Sequence, residues 1–203
     1  NDAATWPKDS VAAFWALPFH GNGGSPAVGC LFVYHCCIFC REGASAMPKT
    51  VIRPAAAADL PAILSLYRVL DEELVDLQPE FFCAAPREEE PVRRYIEAPD
   101  ADFLLAEQEG AVVGFALVLY AGWTPEFSCV LPHRYASLND LIVAPEKRRQ
   151  GVGSSLLGAA KRWARDRRLE YLELNVLAQN SSAIALYESH DFVEAARTMR
   201  CML

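Results

Sequence analysis

The sequence lacks the features of several protein classes. It contains no run of about eighteen uncharged apolar residues, the length that a membrane-spanning helix needs. Basic residues are not in excess: 19 Lys and Arg stand against 26 Asp and Glu, for a net charge of −7. Such a balance argues against general binding to nucleic-acid phosphates. We therefore predict neither a membrane partner nor a nucleic-acid partner.

Disulfide scaffolds and repeat architectures are also excluded. Seven cysteines in 203 residues are too few for a disulfide scaffold, and the number is odd. There is no internal repeat and no low-complexity tract. With 52% hydrophobic and 22% charged residues, the chain has enough apolar material for one acidic globular domain, with or without an appendage.

The composition changes at Met47, and three functional interpretations of residues 1–46 fit poorly. A secretory signal would use the apolar run 27–40 and the small residues 44–46, but its leading part carries one lysine among two aspartates. The same run is too short for a membrane anchor. A zinc site lacks the two separated Cys-x-x-Cys pairs of common ligand patterns. Its candidate ligands would be Cys30, Cys36, Cys37, Cys40, His20 and His35.

We therefore expect residues 1–46 to be an unstructured or non-native leader and residues 47–203 to be the functional domain. The chain starts with Asn rather than Met, as expected of a reading frame opened too early, and the natural protein would then begin at Met47. The predicted domain remains acidic, with 17 basic and 23 acidic residues.

Hydrophobic periodicity predicts a mixed α/β domain. Helices are expected from about Asp59 into the seventies and at 91–97, 151–168 and 181–189; Asp59 should cap the first by accepting bonds from its free amides. Strands are expected at 51–53, 103–106, 112–119, 135–143 and 171–177, with a closing strand at the C-terminus and a loop at 123–133. This order predicts a mixed sheet with helices on both faces.

One glycine-containing segment connects the strand ending at 143 to the following helix. Glycines spaced by one residue let backbone amides approach a ligand, and the helix start presents unpaired N–H groups, so the segment would suit a pyrophosphate. It is neither a P-loop nor a dinucleotide fingerprint, and by itself it is equally compatible with a tight turn. The segment is Arg148, Arg149, Gln150, Gly151, Val152, Gly153 and Ser154.

Residues 139–153, read as Asn-Asp-Leu-Ile-Val-Ala-Pro-Glu-Lys-Arg-Arg-Gln-Gly-Val-Gly, resemble the acetyl-CoA-binding motif of the Gcn5-related N-acetyltransferases. Residues 180–188 resemble that family's second signature, an asparagine followed by an Ala-Ile-x-Leu-Tyr helix, and the opening at 52–60 is similar to its first strand and helix. The loop at 123–124 and residues 139–141 look most like the polyamine acetyltransferase branch. Two departures are Asp191, where the family has glycine, and Asn139, where polyamine-type relatives carry glutamate.

The resemblance implies a twisted, largely antiparallel sheet with helices on both faces and a splayed pair of central strands. This gap would receive acetyl-CoA as co-substrate, and no metal is expected. Backbone groups of Leu141, Ile142 and Val143 would bind the acetyl and pantetheine arm, and residues 148–154 would hold the pyrophosphate. Asn180 would bond the pantetheine arm, and Tyr187 would protonate the departing thiolate. Position alone favours an amphipathic core tyrosine at Tyr187, whereas the two signatures together favour the catalytic role.

The general base is less defined. Asp140, acting directly or through a water, is the first candidate, although it also reads as a salt-bridged strand residue. His133 is the second candidate, whereas His190 is expected to cap its own helix end. Three cysteines outside the leader are expected to be isolated buried or half-buried thiols. They are Cys83, Cys129 and Cys201.

Acidic residues crowd the end of the first helix and the segment after it, a region that borders the acceptor cleft in the resembled family. They favour a cationic amine acceptor such as a polyamine or an aminoglycoside, although most charge runs are solvated helix faces. They are Asp71, Glu72, Glu73, Asp76, Glu80, Glu88, Glu89 and Glu90.

The sequence thus predicts a cytoplasmic acetyl-CoA-dependent N-acetyltransferase, in a family whose members often dimerise. Alternatives are a protein lysine or N-terminal acetyltransferase, and a non-catalytic acyl-CoA sensor.

Overall fold

A computed structural model describes residues 48–123 and 128–202. Nine helices and strands follow one another in this part of the chain: β1 Val51–Pro54, α1 Leu60–Leu77, α2 Glu89–Glu97, β2 Ala101–Gln108, β3 Ala111–Trp123, β4 His133–Val143, α3 Val152–Asp166, β5 Leu172–Leu174 and α4 Ser181–Glu188. Single 3-10 turns precede α1 and follow β4. The zinc, signal and leader interpretations all concern residues outside the described ones.

The strands form one sheet in the order β1-β2-β3-β4-β5. The first four are antiparallel, and β5 runs parallel to β4. Pairing between β4 and β5 ends at Leu138 and Leu174, although β4 continues to Val143. The two strands therefore separate, and the predicted mixed, largely antiparallel sheet with a splayed strand pair is confirmed.

Each face of the sheet carries its own hydrophobic cluster. One is built on α3, with Leu156, Leu157 and Trp163 against alternate residues of β2, β3 and β4. The other joins α1 and α2 to the opposite face, where Tyr67 and Phe115 have ring centroids 4.9 Å apart. Because β2, β3 and β4 alternate between the two clusters, helices lie on both faces of the sheet, as the sequence predicts.

A β-bulge in β4 decides which side chains reach the second cluster. Leu138 pairs with Val118 and Asp140 pairs with Leu117, so Asn139 is the extra residue. Without the bulge, Leu138 and Asp140 would share a face. With it, Leu138 packs on the α3 side and Asp140 turns toward α1.

The start of α1 differs in detail from its prediction. The Asp59 side chain makes no bond to the first amides of α1. It accepts from the Ala56 N–H at 2.8 Å and forms an ion pair with Arg53, also at 2.8 Å, which lowers its pKa to about 2. The carboxylate therefore joins β1 to the turn before the helix. Pro61 lies in the first helical turn, as expected.

Three other predictions require correction. Residues 192–202 contain no strand, so the closing strand is wrong for the described part of the chain. The predicted loop at 123–133 is shorter, because β3 extends to Trp123 and β4 begins at His133. Cys83, Cys129 and Cys201 are exposed, not buried, because they lie in irregular segments that no helix or strand covers.

Candidate active site

Asp140 lies where β4 and β5 separate. Its carboxylate accepts a hydrogen bond from the Tyr67 hydroxyl of α1, with 2.8 Å between the oxygens. Burial raises the pKa of Asp140, while the Tyr67 hydrogen bond and the Arg87 charge act in the opposite direction. A carboxyl group with a raised pKa is a better proton acceptor than an exposed aspartate.

Tyr67 itself is held by a cation. The Arg87 guanidinium lies 3.9 Å from the centre of the Tyr67 ring, and it binds Asp71 through two nitrogens at 2.7 and 3.0 Å. Burial, followed by the Asp140 charge, raises the pKa of Tyr67 far above its usual value, so the phenol stays a donor. Sequence reasoning missed Tyr67 and Arg87 as site residues, because no local motif links them to a strand about 70 residues later.

Tyr187 projects from α4 into the same region. It is half-buried, and its ring centroid lies 5.9 Å from that of Phe192. Burial is the main reason that the pKa of Tyr187 is raised, and the negative charge of Asp140 raises it further. The two candidate catalytic groups are therefore close enough to interact electrostatically, although 47 positions separate them in sequence.

The N-terminus of α3 is uncapped. Gly151 precedes the helix with φ of 80°, a conformation that other residues adopt at a cost, and no side chain caps the helix. The first helical bond runs from the Ser155 N–H to the Gly151 carbonyl. The preceding amides of Val152, Gly153 and Ser154 have no intrahelical acceptor, and such a helix start suits an anion.

The polar side chains before α3 already have protein partners. Arg148 donates from Nε to the Val143 carbonyl at 2.9 Å, and its guanidinium also pairs with Glu73. Gln150 donates to the Glu146 carbonyl at 3.0 Å. Arg149 is exposed, with φ of 60°. Of the three, Arg149 is the one whose charge points to solvent without a hydrogen bond to the described residues.

Gly153 brings α3 against α4. A Cβ at this position would lie 3.2 Å from the Leu186 side chain, so the glycine permits close packing as well as access to its amide. At the start of α4, the Asn180 Oδ1 accepts from the Ala183 N–H and the Ser182 hydroxyl, each at 3.1 Å. The Asn180 oxygen is thus used as a helix cap, which leaves the amide nitrogen as a donor.

Neither His133 nor His190 forms a hydrogen bond with Asp140 in the described part of the chain. His133 opens β4 and contacts Glu170, with 2.6 Å between Nδ1 and Oε2. Seven strand positions separate it from Asp140, which is about 20 Å along a strand. The His190 ring makes no hydrogen bond to the described residues, so it does not cap α4 there; backbone bonds to Tyr187 close that helix instead.

Both departures from the resembled motif have a structural explanation. Asp191 has φ of 65°, the left-handed conformation in which glycine is usual, and aspartate tolerates it better than most residues. Asn139, the bulge residue, is exposed and accepts from the Ser137 hydroxyl at 2.8 Å. Asp140, not Asn139, therefore supplies the buried polar group.

Residues 48–123 and 128–202 contain neither a candidate metal site nor a candidate membrane span. They contain no cluster of three or more potential metal-ligating side chains. Their helices are too short or too polar to cross a bilayer.

Comparison with known proteins agrees with this geometry. The sequence model of the acetyltransferase (GNAT) family matches residues 67–192. The N-acetyltransferase YhfO of Bacillus subtilis (strain 168), named as uncharacterized, is 35% identical over 70% of this chain and 89% of its own length. An aminoglycoside N(6')-acetyltransferase type 1 of Klebsiella aerogenes is 27% identical over 74% of this chain and 93% of its own.

A solved structure shares the fold. The crystal structure of a mutant BH1408 protein of Bacillus halodurans superposes with a TM-score of 0.72, at 20% identity, over 75% of this chain and 99% of its own. By the extent of the family match and of the Bacillus subtilis relative, the chain belongs to the GNAT family of acetyltransferases and is an N-acetyltransferase.

Proposed function

We propose that the protein transfers an acetyl group from acetyl-CoA directly to a primary amine of a small cationic acceptor, such as an aminoglycoside or a polyamine. The observation that carries this proposal is the partly buried Asp140 carboxylate, which the Tyr67 hydroxyl holds at 2.8 Å just beyond the point where β4 and β5 stop pairing. The Klebsiella aerogenes relative supports an aminoglycoside-like acceptor. A cytoplasmic location, a homodimer and a fully active domain at 47–203 remain predictions of the sequence.

The site fits the co-substrate in three places. The uncapped amides at 152–154 and the exposed Arg149 suit a pyrophosphate. The gap between β4 and β5 borders the backbone of residues 141–143, where the pantetheine arm would lie. The free amide nitrogen of Asn180 suits a carbonyl of the same arm. Arg148 and Gln150 would then act mainly by shaping the loop, since both donate to its carbonyls.

The proposed reaction needs one base and one acid. Asp140 takes a proton from the acceptor ammonium, directly or through a water, and the free amine attacks the thioester carbon to form the C–N bond. Backbone N–H groups near the bulge stabilise the oxyanion. As the C–S bond breaks, Tyr187 donates its proton to the CoA sulfur, and the excess proton on the newly bonded nitrogen passes to the Tyr187 oxygen, directly or through a water. A tyrosine with a raised pKa stays protonated at neutral pH until this step.

The test is thiol release from acetyl-CoA by the purified chain, with panels of aminoglycosides, polyamines and basic peptides. Tyr187→Phe should lower acceptor-dependent kcat at least about tenfold, and Asp140→Asn about 100-fold, as for loss of a general acid or base. Tyr120→Phe, which removes an exposed hydroxyl, is the matched control.

Each outcome decides one part of the proposal. Transfer that is unaffected in Tyr187→Phe would reject Tyr187 as the acid. Transfer to peptides alone would reject the small acceptor. Tight CoA binding without transfer to any acceptor would favour the non-catalytic acyl-CoA sensor.

A further inference from the structure

The β4–β5 pair has one face that no helix within residues 48–123 or 128–202 covers. Ala136, Leu138, Leu172 and Leu174 belong to or pack against the α3 cluster. Because side chains alternate along a strand, the residues between them face the opposite side. We call this set the aromatic shelf: Tyr135, Ser137, Tyr171 and Glu173.

Two tyrosines form the centre of the aromatic shelf. The rings of Tyr135 and Tyr171 are stacked, with centroids 4.9 Å apart and an angle of 8° between planes. The His133 ring meets Tyr171 edge to face at 5.9 Å. Tyr171 is 41% exposed despite these contacts. The stack therefore presents a preformed aromatic surface to solvent.

Carboxylates surround this surface. Glu173 is exposed and forms no ion pair with any residue in 48–123 or 128–202. Glu170 lies at the end of the shelf, where it contacts His133 and accepts from the Arg134 N–H at 3.0 Å. Partial burial is the main cause that raises the pKa of the Tyr171 hydroxyl, and the charges of Glu173 and Glu170 add to it. None of the four shelf residues is a lysine or arginine; Lys161 and Arg165 line a pocket that Tyr171 and Glu170 border.

The shelf leads along β4 to the proposed chemistry. From Tyr135 the same face continues to Ser137, whose hydroxyl donates to the bulge residue Asn139. Because Asn139 is the bulge residue, the next side chain on this face belongs to Asp140. Five strand positions separate Tyr135 from Asp140, which is about 15 Å. An acceptor with one amine at Asp140 would need a second group at about that distance to contact the stacked rings.

We propose that the aromatic shelf is a subsite for the distal end of the acceptor, and that it selects extended polycationic amines over short ones. The inference rests on the proposed function. Aromatic faces bind cations and the C–H faces of sugar rings, and the free Glu173 carboxylate attracts an ammonium group. An aminoglycoside of several rings has this combination of length, rings and charge, whereas a single amino sugar is too short to reach both places.

The test compares kanamycin, an extended polycation, with glucosamine, a single amino-sugar ring. Equilibrium binding to the full chain in the presence of CoA and kcat/KM with acetyl-CoA are measured for the wild type, Glu173→Gln and Tyr171→Leu. In each variant, the affinity for kanamycin and the kcat/KM with kanamycin should fall about fivefold relative to the values with glucosamine, as expected from losing one exposed cation contact. Added salt should reduce the effect of Glu173→Gln. Asp166→Asn, which removes an exposed charge from the opposite side, is the control.

Two results would overturn the subsite: equal effects on both amines, or no effect on either. A third contradicting result would come from the oligomeric state, measured by sedimentation. If the wild type is a dimer and Tyr171→Arg makes it monomeric, the shelf is a contact between copies of the chain. The proposed function fails separately, if the wild type acetylates no acceptor while kanamycin binding still depends on Glu173.

Discussion

At the scale of single residues, Tyr67 is the group that the structure adds to the site. Its hydroxyl donates to Asp140, which favours the carboxylate form and holds its orientation. We propose it as a positioning residue, since its contact is with Asp140 and not with the reacting atoms. The stack of Arg87 on its ring fixes the phenol in turn.

Tyr67→Phe should therefore change the pH profile as well as the rate. Without the hydrogen bond the pKa of Asp140 rises further, so the acidic limb of kcat/KM should move to higher pH. The free energy of unfolding should fall by about 1.5–3 kcal/mol, as for a lost hydrogen bond to a charged group. Stopped assays from pH 5 to 9 and urea unfolding measure both. A lower rate with an unmoved acidic limb would leave Tyr67 with a structural role only.

Asp140→Asn tests the stability cost of the same carboxylate. Its folded pKa is raised, so the folded state binds the proton more tightly than the unfolded state. The resulting stability is fully present below the unfolded pKa of about 3.9 and is lost as pH rises through the folded value. Asparagine keeps an acceptor for Tyr67 without the buried charge.

The Asp140→Asn variant should therefore have at least the free energy of unfolding of the wild type at pH 7. Its stability relative to the wild type should decrease toward pH 4. Thermal unfolding at both pH values checks this. A variant that is less stable at pH 7 than at pH 4, relative to the wild type, would contradict the sign of the shift.

At the scale of secondary-structure elements, the site depends on how closely β3 and β4 approach. A Cβ on Gly114 would lie 2.6 Å from the Ile142 carbonyl oxygen and 3.3 Å from the Val143 Cα. Those atoms are backbone and cannot rotate away. The glycine thus holds the last residues of β4 where the strand leaves β5.

Gly114→Ala should lower the free energy of unfolding by about 1–3 kcal/mol through overpacking. Gly158→Ala is the matched control, because its Cβ would meet only the flexible end of Arg162 at 3.6 Å. Alanine inside α3 should raise the free energy of unfolding by about 0.5–1 kcal/mol. Urea unfolding of both variants measures the difference. Equal effects of the two substitutions would reject the close approach of β3 and β4.

The elements also show what the sequence can predict. Four helices and five strands were predictable because apolar periodicity reports burial directly. The loop before α3 and the helix that carries Tyr187 were predictable because their motifs are local, and their roles toward pyrophosphate and thiolate stay predictions. The pairing of Tyr67 with Asp140 was not, since it depends on a β-bulge and on packing across 73 positions. The predicted closing strand failed because alternation alone does not supply a neighbouring strand for residues 192–202.

At the scale of the whole molecule, the site has two halves, the β4 half with Asp140 and the α4 half with Tyr187. They differ in how firmly the rest of the fold holds them. Asp140 lies on β4, which pairs with β3 over most of its length. Tyr187 lies on α4, and Asn180 caps that helix. No residue of α4 is fully buried, and the strand before it has three residues and lies at the sheet edge. Elements with little buried surface open at low free energy. We therefore expect α4 to open more often than β3.

Bound CoA should remove most of this difference, because it would contact both halves. At a concentration 100 times its Kd, a ligand that must leave before α4 opens stabilises the closed form by about 2.7 kcal/mol, and exchange slows about 100-fold. Hydrogen exchange of peptides covering 181–188 and 111–119, with and without CoA, measures this. Asn180→Ala, which removes the cap of α4, should speed exchange of 181–188 without ligand and weaken the protection by CoA. Equal slowing of both peptides would mean that CoA stabilises the fold globally, and that α4 is not a separately opening half of the site.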